Sequence, residues 1–168
     1  MKKLLLLLVT MLLPMVASAD ESGTCGEKLI WTYVESTQTL TISGEGEMAY
    51  DLFSGGPWIN HAKTIQNIVI EDGVTSIMQG AFSGFICLTS IIIPNSVTNI
   101  GSAALSGCSS LSDIHLPDKL TKISKALFYG CVNLTSVDMP CGLDSIGNAA
   151  FKESEFNYIL YYQSYKSC

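Results

Sequence analysis

The sequence predicts a repeat solenoid, built from short parallel β-strands joined by tight turns and preceded by an N-terminal β-hairpin that caps it. Three observations support this prediction. A block of 23 residues recurs four times between Ile65 and Phe156, the same positions are apolar in every block, and the residues before the first block form two β-branched and aromatic runs. A fixed period of twenty-odd residues is typical of solenoids, in which each unit buries its apolar edge against its neighbours.

The apolar positions form six columns that stay in phase over all four blocks. Chance does not account for six such columns, so we expect their side chains to stack on one another inside the molecule. By position in the block they are Ile65, Leu88, Leu111 and Leu134; Ile68, Ile91, Ile114 and Val137; Ile70, Ile93, Leu116 and Met139; Val74, Val97, Leu120 and Leu143; Ile77, Ile100, Ile123 and Ile146; Phe82, Leu105, Phe128 and Phe151.

Each block is expected to contain a strand at its third to sixth positions, as at Ser90 to Ile93. A proline ends the strand in three blocks, because proline has no N–H with which to continue a ladder. Alternation along the strand points the fourth and sixth residues inward and the third and fifth outward. The stretch Val97 to Ile100 predicts a second extended segment, and the A-A-L or A-L-F stretch with the following glycine predicts a tight helical turn.

The residues before the repeats are expected to cap its open end. Asp20 to Gly26 is polar and is predicted to be loose, whereas Lys28 to Tyr33 and Thr39 to Ser43 predict a β-hairpin. An uncapped end would expose apolar side chains and unpaired strand groups, and Trp58 has the right size to cover it. His61 has no evident partner in the sequence and is expected to be solvated.

Two further segments lie between the hairpin and the first block. Gly44 to Gly56 is rich in glycine and predicts a loop with apolar anchors at Met48, Tyr50 and Phe53. Pro57 to Lys63 predicts a short helical turn, since proline at the first position of a helix loses no hydrogen bond.

The ends of the chain define the remaining boundaries. Lys2 and Lys3, the apolar run Leu4 to Leu13 and the small residues Ala17 to Ala19 predict a signal peptide over residues 1–19, removed on export, since the run is too short to cross a bilayer. No later stretch predicts membrane insertion after this cleavage. The expected order is therefore a cap over residues 20–64, four repeats over residues 65–156, and a partial repeat or C-terminal lid over residues 157–168.

The charge balance argues against nucleic acid as a partner. The chain has 9 basic and 15 acidic residues, and removal of Lys2 and Lys3 leaves 7 against 15, a net charge of −8. None of the basic residues is an arginine. Without a basic patch the chain cannot neutralise phosphates, and anionic membrane surfaces are disfavoured for the same reason.

Six cysteines in an exported chain raise the question of disulfides. Cys108 and Cys131 hold the position that Phe85 holds in the preceding block, which favours buried free thiols in an apolar column. Neighbouring strands about 4.8 Å apart would also allow these two to form a disulfide. Cys25, Cys87, Cys141 and Cys168 have no metal-type spacing, so neither a metal site nor a cofactor is predicted.

The outward positions of the first strand of each block form the candidate binding surface. They begin apolar and end polar along the repeats, and the last four could also form a Ser-His-Asp hydrolase or a metal site. An exposed sheet face lacks the buried carboxylate, strained nucleophile and oxyanion donors that a triad needs, so recognition is favoured over catalysis. The candidate residues are Asn67, Val69, Ser90, Ile92, Asp113, His115, Ser136 and Asp138.

The consensus L-x-x-I-x-I-P-x-x-V-T-x-I-G-x-x-A-F-x-G-C-x-x resembles the BspA-like (Treponema pallidum-type) leucine-rich repeat family. The residues Ser22 to Gly26, Trp31 to Tyr33, Thr39 to Gly44, and Pro57 with Trp58 resemble the leader that often precedes such repeats. The resemblance implies a leucine-rich-repeat solenoid that is exported or surface-displayed. It also implies binding to host matrix proteins such as fibronectin or fibrinogen, or to other cells.

Together these observations predict a secreted or cell-surface adhesin, which is not an enzyme and recognises an extracellular or cell-surface protein or glycan. Self-association is a further possibility, since four short strands offer only a modest area to a partner. Two alternatives are hydrolytic or metal-dependent activity at Asp113, His115, Ser136 and Asp138, and a structural fragment of a larger exported protein.

Overall fold

The computed structural model describes residues 21–49 and 56–156. The predicted signal peptide, the loop anchors Tyr50 and Phe53, and the predicted C-terminal partial repeat or lid lie outside these residues. The four 23-residue blocks are named copy 1 (65–87), copy 2 (88–110), copy 3 (111–133) and copy 4 (134–156).

The described chain is made of short strands, with 3-10 turns at Glu35–Thr37 and Ile59–His61 and no α-helix in residues 21–49 and 56–156. No helix there could cross a membrane. The strands are β1 (Glu21–Thr24), β2 (Leu29–Val34), β3 (Thr39–Gly44), β4 (Gly46–Glu47), β5 (Asn67–Ile70), β6 (Val74–Ile77), β7 (Ser90–Ile92), β8 (Asn99–Ile100), β9 (Asp113–His115), β10 (Lys122–Ile123), β11 (Ser136–Asp138) and β12 (Ser145–Ile146).

The predicted hairpin is present and continues into the repeats. β2 pairs antiparallel with β3 through the turn at Glu35–Thr37, where Gln38 adopts a left-handed conformation with φ of 51°. β3 then pairs parallel with β5, with Leu40 opposite Ile68 and Ile42 opposite Ile70. The hairpin and the first strands of copies 1 and 2 therefore share one sheet of order β1-β2-β3-β5-β7.

The copies stack with a register of 23 residues, through strand ladders on two sides and turns on the third, although no ladder joins copies 2 and 3. The first strands pair in parallel from β5 to β7 and from β9 to β11, and the second extended segments pair from β6 to β8 and from β10 to β12. On the third side, alternate backbone N–H groups of each turn donate to carbonyls of the next copy, as from Phe82 to Ala104 O at 2.9 Å. Left-handed Gly80, Ala103, Ala126 and Ala149 open these turns.

The inner columns form one continuous core. Ile68, Ile91, Ile114 and Val137, which alternation predicted to point inward, are all at least 92% buried. The prolines end the first strands as expected, since each of β7, β9 and β11 stops within two residues of one. Leu143 and Ile146 in copy 4 are only partly buried, and they belong to the last described copy.

Trp58 packs against the turn of copy 1, on the side away from copy 2. Its indole N–H donates to Ala81 O at 2.8 Å, and its ring stacks on Phe82 with centroids 5.6 Å apart. In the following copies, the matching carbonyls of Ala104, Leu127 and Ala150 accept from the backbone N–H groups of Phe82, Leu105 and Phe128. One fully buried side chain thus replaces both the hydrogen bond and the apolar layer that a preceding copy would supply.

Three expectations about the N-terminal residues were wrong. Gly46–Glu47 lies within the predicted loop but forms β4, which pairs parallel with β6. Glu21–Thr24 is not loose: it forms β1, antiparallel to β2, where Gly23 lies so close to the indole of Trp31 that a Cβ would fall 2.8 Å from Nε1. His61 is not solvated, because its Nε2 lies 2.8 Å from Glu21 Oε2 and its ring stacks on Tyr33. The two contacts of His61 join residues 40 and 28 positions apart in the sequence, which local patterns do not reveal.

Cys25, Cys87, Cys108 and Cys131 are free thiols, in agreement with the favoured interpretation of Cys108 and Cys131. The thiol of Cys108 donates to Phe82 O at 3.3 Å and that of Cys131 to Leu105 O at 3.0 Å. Burial raises the pKa of Cys131 to about 11 and that of Cys108 further. Desolvation disfavours the charged thiolate, so both groups stay protonated at neutral pH.

We therefore expect Cys108 and Cys131 to resist iodoacetamide in the folded protein from pH 7 to 9, because the thiolate is the reacting form and a raised pKa removes it. Exposed Cys141 should react under the same conditions. Mass spectrometry of the labelled protein measures this, with protein unfolded in urea as the control in which every thiol reacts. Labelling of Cys108 at the rate of Cys141 would contradict the burial of the column.

Candidate functional site

The candidate surface is the solvent-facing side of the hairpin strands and of the first strand of each copy. We call it the outer face and define it as the outward side chains of β1, β2, β3, β5, β7, β9 and β11. The predicted residues all lie on it: Asn67 and Val69 are half-buried between neighbouring strands, and Ser90, Ile92, Asp113, His115, Ser136 and Asp138 are exposed.

Strand register sorts these side chains into two rows. Val69 lies opposite Ile92, and His115 opposite Asp138, in one row. Asn67 lies opposite Ser90, and Asp113 opposite Ser136, in the other. Ile92 is the most prominent apolar group, with 59% of its surface exposed.

The hairpin extends both rows, which the sequence prediction did not include. Thr32 lies opposite Thr41, which lies opposite Val69, and Val34 lies opposite Thr39, which lies opposite Asn67. The alternation of Thr32 and Thr41 with buried neighbours could have identified them as outward residues. Their place beside copy 1 follows only from the pairing of β3 with β5, a contact between residues 28 positions apart.

The outer face is interrupted once, against the expectation of one evenly spaced sheet. Among the described residues, β7 is paired with β5 and β9 with β11, but β7 and β9 share no ladder. Ile92 and His115 lie on opposite sides of this interruption.

Of the four polar residues predicted in copies 3 and 4, His115 and Asp138 are in contact, whereas Asp113 bonds to Ser112, which is not one of the four, and Ser136 lies opposite Asp113 in the register. His115 Nδ1 lies 2.7 Å from Asp138 Oδ2, and the hydroxyl of Ser112 donates to Asp113 Oδ2 at 2.8 Å. The side chains of His115 and Asp138 are 61% and 72% exposed. A contact between two side chains so open to water contributes at most about 1 kcal/mol, and it orients the imidazole only loosely.

This arrangement suits recognition better than hydrolysis. A catalytic triad relies on a buried carboxylate that orients the histidine, and Asp138 lies in solvent. A cavity of about 500 Å³ opens along residues Ile146 to Lys152, and its lining includes no member of the cluster. No group of three or more metal-binding side chains occurs among residues 21–49 and 56–156.

Short parallel strands stacked at 23-residue spacing over aliphatic columns define a leucine-rich repeat protein. The chain belongs to the BspA-type leucine-rich repeat family: residues 60–168 match the model described as "BspA type Leucine rich repeat region (6 copies)". The resemblance given by the consensus is thereby confirmed. No curated protein matches the chain.

Three solved structures of leucine-rich repeat proteins are similar to the chain, and the first of them shows the same fold. A leucine-rich repeat protein from Eubacterium ventriosum is 19% identical with a TM-score of 0.63, over 82% of this chain and 42% of its own. One from Bacteroides ovatus is 24% identical with a TM-score of 0.49, over 68% and 34%. A leucine rich cell surface protein from Faecalibacterium prausnitzii is 18% identical with a TM-score of 0.46, over 83% and 48%. The chain spans less than half the length of each.

Proposed function

We propose that this chain is an exported binding module, a leucine-rich-repeat solenoid with a hairpin cap that recognises an extracellular or cell-surface protein through its outer face. The observation that carries the proposal is the composition of that face, where exposed Ile92 and half-buried Val69 lie among hydroxyl, amide and carboxylate groups. Apolar contact surrounded by polar groups is the usual make-up of a protein interface. The signal-like residues 1–19 support export, and with it a secreted or surface location.

The chemistry of the face changes along the stack. From β2 to β7 its outward groups are hydroxyl, amide and aliphatic, and from β9 to β11 they are Asp113, His115, Ser136 and Asp138. A partner would therefore place an apolar group against Ile92 and hydrogen-bond donors or a cation against the carboxylates. Such charges act mainly on association rate and specificity.

The size of the face implies weak binding by a single molecule. Seven strands about 4.8 Å apart, each with two or three outward residues, give an area of roughly 400 Å². Specific stable interfaces bury about 800 Å² on each partner, so useful affinity would come from many copies displayed together.

The test is a binding screen of the full chain against extracellular matrix proteins and glycans, followed by substitution of Ile92. We expect Ile92→Ser to weaken binding to a captured matrix protein by about tenfold or more, since an apolar group at the centre of an interface often contributes 1–2 kcal/mol. Surface plasmon resonance with the chain displayed at high density measures the loss.

The matched control is Ile86→Ser, which removes another exposed isoleucine that lies outside the outer face. Binding should be unchanged in this variant. Equal losses in both variants, or no loss in either, would overturn the assignment of the outer face. Circular dichroism of both variants verifies that the fold is retained.

A further inference from the structure

One boundary in the stack differs from the others. Between copies 1 and 2, the N–H groups of Thr98 and Gly101 donate to Thr75 O and Ile77 O. Between copies 3 and 4, those of Asp144 and Gly147 donate to Thr121 O and Ile123 O.

The equivalent donors between copies 2 and 3 are the N–H groups of Thr121 and Ser124. Neither makes a backbone hydrogen bond within the described residues, and β7 and β8 form no ladder with β9 and β10. Both strand sides of the stack are thus open at this one boundary.

The presence or absence of glycine at one repeat position explains why this boundary differs from the other two. A Cβ on Gly101 would lie 2.4 Å from Gln79 N, and one on Gly147 would lie 2.5 Å from Lys125 N. Both glycines allow a copy to approach the backbone of the copy before it more closely than any side chain permits. The equivalent residue in copy 3 is Ser124, whose Cβ occupies that space.

The hydrogen bonds at Ser124 agree with this explanation. Ile100 O is equivalent to Ile77 O and Ile123 O. Those two carbonyls accept hydrogen bonds from the backbone N–H groups of Gly101 and Gly147, at 2.9 and 2.7 Å. Ile100 O instead accepts the hydroxyl of Ser124 at 2.5 Å. The Ser124 side chain thus keeps copies 2 and 3 apart. Its hydroxyl forms the hydrogen bond to Ile100 O that the backbone N–H of Ser124 is too far away to form.

The third side of the stack stays closed at the same boundary. The N–H groups of Ala103, Leu105 and Gly107 in copy 2 donate to copy 3 at 2.9, 3.2 and 2.7 Å. Elsewhere at this boundary, the side-chain amide of Asn95 donates to Asp118 Oδ2 at 3.0 Å, and the backbone N–H of Asp118 donates to Asn95 Oδ1 at 2.9 Å. The connection between the halves is therefore continuous along one side, and held by side chains elsewhere.

We propose that Ser124 makes this boundary a joint, about which the hairpin with copies 1 and 2 pivots against copies 3 and 4. The turn side acts as the pivot and the two strand sides open and close. The outer face crosses the joint between Ile92 and His115, so the joint sets the curvature that the face offers to a partner. The joint itself does not depend on the proposed function.

Amide hydrogen exchange of the full chain, followed by NMR, tests the proposal. Relative to intrinsic rates, the amides of Thr121 and Ser124 should exchange at least about tenfold faster than those of Thr98, Gly101, Asp144 and Gly147, because amides without a stable bond are exposed by local opening. Equal protection at the three boundaries would overturn the joint.

Two substitutions separate the side chain's bulk from its hydroxyl. Ser124→Gly removes the Cβ, so the boundary should close and exchange at Thr121 should slow by about tenfold. Ser124→Ala keeps the Cβ, so Thr121 should exchange as fast as in the natural protein. Equal protection in the two variants would refute the role of the Cβ.

The reciprocal variant is Gly147→Ser, which should open the boundary between copies 3 and 4 and speed exchange at Asp144. If this variant does not fold, the comparison of Ser124→Gly with Ser124→Ala is sufficient to test the proposal.

Discussion

Replacing Trp58 with alanine is expected to lower the free energy of unfolding by about 3–5 kcal/mol, the usual cost of removing a buried aromatic side chain. The ring is fully buried and stacks on Phe82, and its N–H satisfies Ala81 O. Loss of both would expose the apolar end of copy 1 and leave a carbonyl without its donor. Urea unfolding followed by fluorescence or circular dichroism measures the change.

Phenylalanine variants at the two tryptophans separate the hydrogen bond from the packing. Trp58→Phe keeps an aromatic ring but leaves Ala81 O unsatisfied, at a cost of about 1–3 kcal/mol. Trp31→Phe is the matched control, because the indole N–H of Trp31 is buried without a partner in the described structure and its removal relieves an unpaired group. A larger loss for Trp31→Phe than for Trp58→Phe would contradict this account of the end of the stack.

The second large effect is expected inside the repeats, at Phe128. This side chain is fully buried and stacks on Phe151 with centroids 5.3 Å apart, in the column that also holds Phe82 and Leu105. Phe128→Ala should cost about 3–5 kcal/mol, since the layers on either side cannot collapse into the space.

Two further variants test whether that loss comes from the column. Phe128→Leu should cost about 1–2 kcal/mol, because the same column accepts leucine in copy 2. Tyr129→Ala removes the adjacent side chain, whose hydroxyl donates to Glu153 on the surface, and should cost less than about 1 kcal/mol. Losses at Tyr129 as large as those at Phe128 would show that the column does not carry the stability.

The buried and exposed positions of the repeats could be predicted because the same pattern occurs in all four copies. Alternation within each block identified which side of a strand is buried, as for Ile68 and Ile91, and the same signal in four copies made it unambiguous. The outward set from Asn67 to Asp138 followed from the same alternation. Its use as a binding surface stays a prediction.

The features that do not repeat were missed or only partly anticipated. Glu21–Thr24 is polar and carries no apolar alternation, so nothing local marked it as a strand. The sequence shows Ser124 at a position that holds glycine in copies 2 and 4. The reason for that glycine is a close backbone approach at ordinary backbone angles, which only coordinates reveal.

The sequence by itself determined the period, the stacked aliphatic columns and the inward and outward positions, because burial of apolar side chains depends on patterns that are local and repeated. Only the tertiary structure decided how the hairpin joins the first copy, what His61 contacts, and where the stack opens. Each of these depends on a contact between backbones or side chains at least 20 residues apart, and such contacts are set by packing in three dimensions.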